Sequence, residues 1–282
     1  MRAYLPGLLL IFLFSAGFAQ EAVDIPLVVI EVNGGFPIPD EPKIGAHMKI
    51  IDHGPGNLNY ASDSGNIYDG NVGIEIRGAY SASLPQKPYG FETRTDAGEN
   101  LNVPLLGMPE ENDWILLANY NDKSFLRNAL AGQLFRSMGH YAPRTRHCEL
   151  IVNNSYDGIY VLTEKIKRDK NRVDIARLEA TENYGDDVTG GYIFKTDYYS
   201  SYDSWTSAYP PFDRPDGTVY FVYDYPDPED ITENQKLYLQ AYVDSFEETL
   251  HGSGYKNPLT GYAAYIDVNS FLDYFILSEV SR

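Results

Sequence analysis

The sequence predicts an α+β protein, and three observations predict it. Short apolar runs with two-residue alternation fill the first two thirds of the chain, broken by Gly, Pro, Asn and Asp. One helical repeat of apolar residues interrupts them after Asp122. Two further helical repeats close the chain, so antiparallel strands come early and helices late.

The elements follow in order. Residues 25–32 read as a buried strand that ends at Asn33-Gly34-Gly35, before a Pro-rich loop through Pro42. Ala46 to Ile51 form a second strand, and Asp52 to Gly70 a turn-rich segment. Ile74-Glu75-Ile76-Arg77 alternates as a strand, Gly78 to Pro88 is a loop, and Tyr89 to Thr93 is the returning strand. Trp114 to Leu117 is strand-like. Asp122 is an N-cap for a helix carrying Phe125, Leu126, Ala129, Leu130, Leu134 and Met138 on one face, closed by Gly139. His147 to Val152 and Gly158 to Thr163 flank Asn153 to Asp157 as a hairpin. Tyr192 to Thr196 and Val219 to Tyr223 are strands, separated by an irregular aromatic loop. Thr232 to Leu250 is a helix with a Thr232/Gln235 capping box. Val268 to Val280 is the last helix, with Phe271, Leu272, Phe275 and Ile276 on one face.

The 282 residues carry 22 Lys+Arg against 40 Asp+Glu, a net charge of −18. Apolar content of 43% and 24 tyrosines supply an ample core and exclude a disordered chain. The acidic excess argues against a nucleic-acid partner, because phosphate backbones would be repelled. The charge is unevenly placed, however. Arg77 to Arg177 holds 14 basic and 12 acidic residues, a net of 14 − 12 = +2, while the rest of the chain carries −18 − 2 = −20. Cys148 is the single cysteine, which excludes an internal disulfide and a multi-Cys zinc site, and its alternating context places it inside a strand.

Arg2, the apolar run Leu5 to Phe14 and the small residues Ser15, Ala16, Gly17 and Ala19 form a signal-peptide layout with cleavage after Ala19. The apolar run is too short for a comfortable membrane span. The expected location is therefore secreted or cell envelope, with no membrane span once the leader is removed.

Candidate chemistry lies in the cationic section. Arg77, Gly78 and Ser81 open the loop between two strands, and Lys87 precedes the returning strand. A guanidinium, a flexible glycine, backbone amides and hydroxyls are the means by which a hairpin covers phosphates. A Lys at position 87 could reach the phosphates of a nucleotide, with a Glu to orient it, against the plainer reading of an ordinary surface hairpin. Glu164 ends a strand beside Lys165 and Lys167, in the cationic run that continues through Arg168, Lys170 and Arg172. Structural ion pairing is the commoner fate of such groups. Neither GxGxxG nor GxxxxGK[ST] occurs, and Asp63, Asp69 and Asn71 miss the spacing of a calcium loop. No metal site is expected within these residues.

Several stretches together resemble the spore coat protein H (CotH) kinase-like family. They are Gly73-Ile74-Glu75-Ile76-Arg77-Gly78, Pro85 with Lys87, Tyr89 to Arg94, Glu111 to Leu116 and Asp122-Lys123-Ser124 with Arg127-Asn128. Tyr141 to Arg146, Thr163 to Ile175, Gly190 to Ile193 and Tyr265 to Val268 complete the set, in order across residues 25–282. The resemblance implies an atypical protein kinase-like fold, with an antiparallel-sheet N-terminal part and the start of a helical C-terminal part. It implies Mg- or Mn-dependent transfer of the ATP γ-phosphoryl group to a hydroxyl of a secreted or surface protein. Arg77, Gly78, Ser81, Lys87, Glu164, Lys165 and Lys167 would be the cofactor-binding set. The helix from Lys123 would correspond to the kinase regulatory helix, and that from Val268 would deliver the catalytic loop.

The chain departs from the family where Ala79 and Tyr80 replace serines and Gln86 replaces a Lys. By resemblance, the catalytic carboxylate and metal ligand belong to segments beyond Arg282. Residues 20–282 are therefore expected to be a C-terminally incomplete domain, inactive on their own. The alternative is a non-catalytic envelope or coat protein that keeps the fold for interaction. Tyr198, Tyr199, Tyr202, Trp205 and Tyr209 would then be its contact residues, against the plainer expectation that they pack onto the core.

Overall fold

The computed structural model describes residues 22–281, so the leader through Ala19 lies outside the described residues. Twelve strands and three α-helices follow in order: β1 (Leu27–Val32), β2 (Ile44–Ile51), β3 (Tyr68–Ile76), β4 (Tyr89–Arg94), β5 (Val103–Leu105), β6 (Met108–Glu111), β7 (Asp113–Leu117), α1 (Arg127–Ser137), β8 (Thr145–Val152), β9 (Ser155–Glu164), β10 (Ile193–Thr196), β11 (Ser204–Thr206), β12 (Tyr220–Tyr225), α2 (Glu233–His251) and α3 (Val268–Val280). The class is α+β, as predicted.

Seven strands close into a barrel in the order β1-β2-β3-β4-β7-β9-β8. All neighbours are antiparallel except β1 and β8, which run parallel and close the ring. The sheet is antiparallel as expected apart from this one pair, and its closure was not foreseen. Sequence pattern shows which face of a strand is buried, but not which strand it meets.

Alternation fills the interior. Val28 and Ile30 of β1, Met48 and Ile50 of β2, Ile74 of β3, Phe91 of β4, Trp114 and Leu116 of β7, Cys148 and Leu150 of β8, and Tyr160 and Leu162 of β9 form one buried cluster. Each large side chain so withdrawn from water contributes about 1.5–3 kcal/mol. The hairpin β5–β6 adds Leu105, Leu106 and Met108 to this core. Its turn needs positive φ at Leu106 (49°) and Gly107 (75°), and it has no counterpart among the predicted elements. Outside the barrel, Leu27, Val29 and Ile51 pack with Val23 in a small second cluster.

The other elements lie after the barrel in sequence. β10, β12 and β11 form a three-stranded sheet, against which α2 packs Leu239 and Val243. The predicted Thr232/Gln235 capping box is present. β11 lies inside the predicted aromatic loop, where Trp205 packs onto Tyr223 with ring centres 4.6 Å apart. Tyr209 stacks on His251 at 3.7 Å. Tyr198, Tyr199 and Tyr202 instead face solvent, contrary to the packing expectation.

Further boundaries differ from prediction: β3 starts at Tyr68, inside the segment expected to be turns, rather than at Ile74. The helix expected from Asp122 begins at Arg127, because Phe125 takes a positive φ of 57°. Asp122 still caps: its carboxylate accepts from the backbone N–H groups of Ser124 and Arg127 at 3.0 Å each. The hairpin turn is also tighter than expected. Asn153 and Asn154 alone make it, at φ 48° and 62°, so β9 starts at Ser155.

α1 and α3 pack together through Phe135 against Tyr274, and His140 Nε2 lies 2.8 Å from Asp273 Oδ2. Leu130 and Leu134 of α1, and Phe271, Phe275 and Ile276 of α3, remain exposed. The apolar faces read from the sequence are real, but these residues are not covered by the described chain. Among the described residues, no helix is long and apolar enough to cross a membrane.

Candidate functional cleft

The outward face of β3, β4 and β7 is polar because it alternates with the barrel interior. Ile74 and Phe91 point inward, so Glu75 of β3 and Glu92 and Arg94 of β4 point outward. Lys43, from the loop before β2, reaches across them: its Nζ lies 3.0 Å from Glu75 Oε1 and 3.0 Å from Glu92 Oε1. Arg94 Nη2 donates to the other Glu92 oxygen at 3.0 Å. Glycine makes room for this array, since a Cβ at Gly73 would collide with the Arg94 guanidinium. The surface forms an open depression of about 560 Å³ lined by Glu41, Pro42, Lys43, Glu75, Glu92 and Arg94.

A narrow cleft of about 40 Å³ adjoins it, with Lys43, Glu75, Arg77, Gly90, Asp113, Ile115 and Lys165 among its walls. Gly90 is buried beneath the Arg77 stem, where a Cβ would meet Arg77 Cδ and Glu75 Oε1 at 3.6 Å. Arg77 keeps solvent access, yet the atoms crowding its guanidinium lower its pKa, with the Glu75 charge acting the other way. Among the described residues, its guanidinium has no hydrogen-bond or ion-pair partner. A guanidinium without a partner keeps its planar set of N–H donors unused.

Asp113 ties this cleft to the cationic run. Lys167 Nζ donates to Asp113 Oδ2 at 2.6 Å and sits 2.8 Å from Glu111 Oε1, while Lys165 lies 4.0 Å from Asp113. Burial pushes the Asp113 pKa up, but Lys165 and Lys167 outweigh it, and the net shift is downward. Arg172, almost fully buried, stacks its guanidinium 5.1 Å from the Trp114 ring and donates to the Lys165 carbonyl at 2.8 Å.

The structure therefore separates the sequence-predicted residues into three groups. Arg77 and Lys165 line the cleft. Gly78, Ser81 and Lys87 lie in the β3–β4 loop, where Gly78 has φ 93° and a Cβ there would meet the Ser81 hydroxyl. Lys87 turns back into its own loop and donates to the Ala82 carbonyl at 2.8 Å. Glu164 and Lys167 belong to ion pairs: Glu164 is wholly buried and held by Arg144, and Lys167 by Glu111 and Asp113.

Lys87 and Glu164 do not meet. Lys87 Nζ is taken by the Ala82 carbonyl and Glu164 by Arg144, while the Lys87 carbonyl accepts from the Tyr160 hydroxyl. The loop's second arm is also fixed to the β8–β9 hairpin, where Gln86 donates to the carbonyls of Asp157 and Ile159 at 3.1 Å each. Lys43, Gly90, Glu92, Arg94 and Asp113 were absent from the sequence-derived set. The alternation of β4 marks Glu92 and Arg94 as outward-facing, but nothing local to Lys43 shows that its loop returns to β3. Among the described residues, no group of three or more His, Cys, Asp or Glu side chains is arranged to hold a metal ion.

The barrel thus carries on its outer face a cleft in which four cations, Lys43, Arg77, Arg94 and Lys165, face four carboxylates, Glu41, Glu75, Glu92 and Asp113. A family model described as CotH kinase protein matches residues 74–282, and the chain belongs to that family. No curated protein matches the chain.

Proposed function

We propose that this chain is the nucleotide-holding part of an exported CotH-type kinase. In this reading, the cleft beside Arg77 binds ATP with Mg or Mn, and the γ-phosphoryl group passes to a hydroxyl of a secreted or surface protein. The kinase-like reading of the fold makes β3, β4 and their loop the phosphate-covering part. It makes α1 the regulatory helix and α3 the carrier of the catalytic loop. The leader through Ala19 would direct export, leaving residues 20–282 as the family domain.

The observation that carries the reading is the unpaired Arg77 guanidinium above Gly90, with Lys165 across the cleft. These donors suit phosphate oxygens. A nucleotide is too large for the 40 Å³ cleft and would lie across the adjoining depression, which is open enough to receive it. A bound divalent ion would neutralise phosphate charge. The protein's own part is positioning and charge stabilisation: Arg77 and Lys165 hold the phosphates.

The alternative reading, a non-catalytic surface protein, draws on the exposed Tyr198, Tyr199 and Tyr202. Calorimetric titration with ATP and Mn²⁺ separates the two. Saturable binding supports the nucleotide reading, and absence of binding overturns it.

A further inference from the structure

Lys43 lies outside the family-matched segment, in residues that the family comparison does not cover. Its own strands are nevertheless integral to the barrel, because β1 pairs with β8 and β2 with β3. The loop that carries Lys43 is fastened to the end of β3, where Ile76 N–H donates to the Pro39 carbonyl at 2.7 Å. That bond falls one residue before Arg77 and brings the two cations to one cleft.

An ammonium has three N–H donors. Glu75 and Glu92 take two of those of Lys43, each at 3.0 Å, and the third has no partner among the described residues. The side chain is only 22% exposed, so its position is set by these carboxylates rather than by solvent. Burial lowers its pKa, the two carboxylates raise it by more, and it stays charged. Lys43 also borders both the open depression and the narrow cleft.

Local charge is balanced, with Lys43, Arg77, Arg94 and Lys165 against Glu41, Glu75, Glu92 and Asp113. An anion is therefore attracted by unused donors rather than by net charge. We propose that Lys43 is a phosphate-binding residue of this site, its third N–H donating to a phosphate oxygen of the nucleotide while Glu75 and Glu92 fix the ammonium. The N-terminal strands thus supply the site as well as closing the barrel. This inference rests on the nucleotide-binding reading above.

The test measures Kd for ATP and for AMP, with Mn²⁺, on the whole chain and its Lys43→Met and Lys43→Arg variants. Lys43→Met is expected to weaken ATP at least tenfold and AMP less than threefold, because the lost donor serves the outer phosphates. Lys43→Arg is expected to keep ATP within about threefold. Should Lys43→Met fail to fold, with Glu75 and Glu92 left facing each other, Lys43→Met with Glu75→Gln removes that repulsion and carries the same expectation. ATP affinity unchanged in the Met variant, or ATP and AMP weakened equally, overturns the assignment of Lys43 while leaving the nucleotide reading in place. A wild-type chain that binds neither nucleotide overturns both.

Discussion

Arg144 grips Glu164 from two directions. Its guanidinium Nη1 donates to Oε1 at 2.6 Å and its backbone N–H to Oε2 at 2.8 Å, while the carboxylate is wholly buried. The same Nη1 donates to the Asn171 carbonyl at 3.0 Å, tying β9 to the segment after it. The pair is a structural clasp at the end of β9.

Arg144→Ala leaves a buried carboxylate without its cation. The expected loss is about 3 kcal/mol, at the low end for a buried pair because Arg144 is one-third exposed. Glu164→Gln with Arg144→Ala should recover part of it. A double-mutant cycle by urea denaturation checks this, and additive effects would contradict the clasp.

The barrel interior has an alkaline signature. Burial pushes the Cys148 thiol up to about 12. The folded state then keeps its proton where the unfolded chain loses it. Stability from this group is full below about pH 9 and lost as pH rises toward 12, on the order of 4 kcal/mol. Tyr89, Tyr141 and Tyr160 are raised by burial as well and share the effect. Denaturation series between pH 8 and 11, on the order of one unit per step, should show a shallower decline for Cys148→Ala. The native thiol should also resist alkylation until the protein unfolds.

The outer cleft has the opposite dependence. Burial raises the Glu92 pKa, but hydrogen bonds from Lys43 and Arg94 outweigh it and hold the carboxyl below its usual range, as Lys165 and Lys167 do for Asp113. Stability from these groups is present above the ordinary carboxylate pKa of about 4 and is lost as pH falls through the depressed values. Acid titration of Glu92→Gln should lose this part of the slope.

The β8–β9 turn makes a backbone prediction. Asn154 at φ 62° suits Asn or Gly, so Asn154→Val should cost about 1–2 kcal/mol and Asn154→Gly should be neutral or stabilising. Thermal unfolding checks both variants.

Gly90 tests the cleft itself. A Cβ there meets Arg77 Cδ and Glu75 Oε1 at 3.6 Å, ordinary contact, so Gly90→Ala should fold normally. Gly90→Leu should fill the cleft and reduce nucleotide affinity at least tenfold. Equal affinity in the Leu variant would place the ligand elsewhere.

Most of the barrel strands were legible from alternation, because interior residues such as Ile74, Phe91 and Leu162 recur at every second position. The β8–β9 hairpin and the α2 capping box were legible for the same reason, that local chemistry determines them. Closure of the barrel by a parallel β1–β8 pair was not, since it joins strands more than a hundred residues apart. The site was half legible. Arg77 and Lys165 announce themselves as cations beside a glycine loop, whereas Lys43 enters through long-range contacts, the β2–β3 pairing and the Ile76–Pro39 bond. Glu164 illustrates the converse: its sequence context is cationic, but the partner that fixes it is Arg144, the residue before β8.

Hydrogen–deuterium exchange of the whole chain, with and without saturating ATP and Mn²⁺, tests the central claim most directly. The nucleotide-cleft account predicts new protection in residues 74–94 and 113–117, around Arg77, Gly90 and Asp113. Unchanged exchange there, or protection confined to the aromatic segment 198–212, would contradict it.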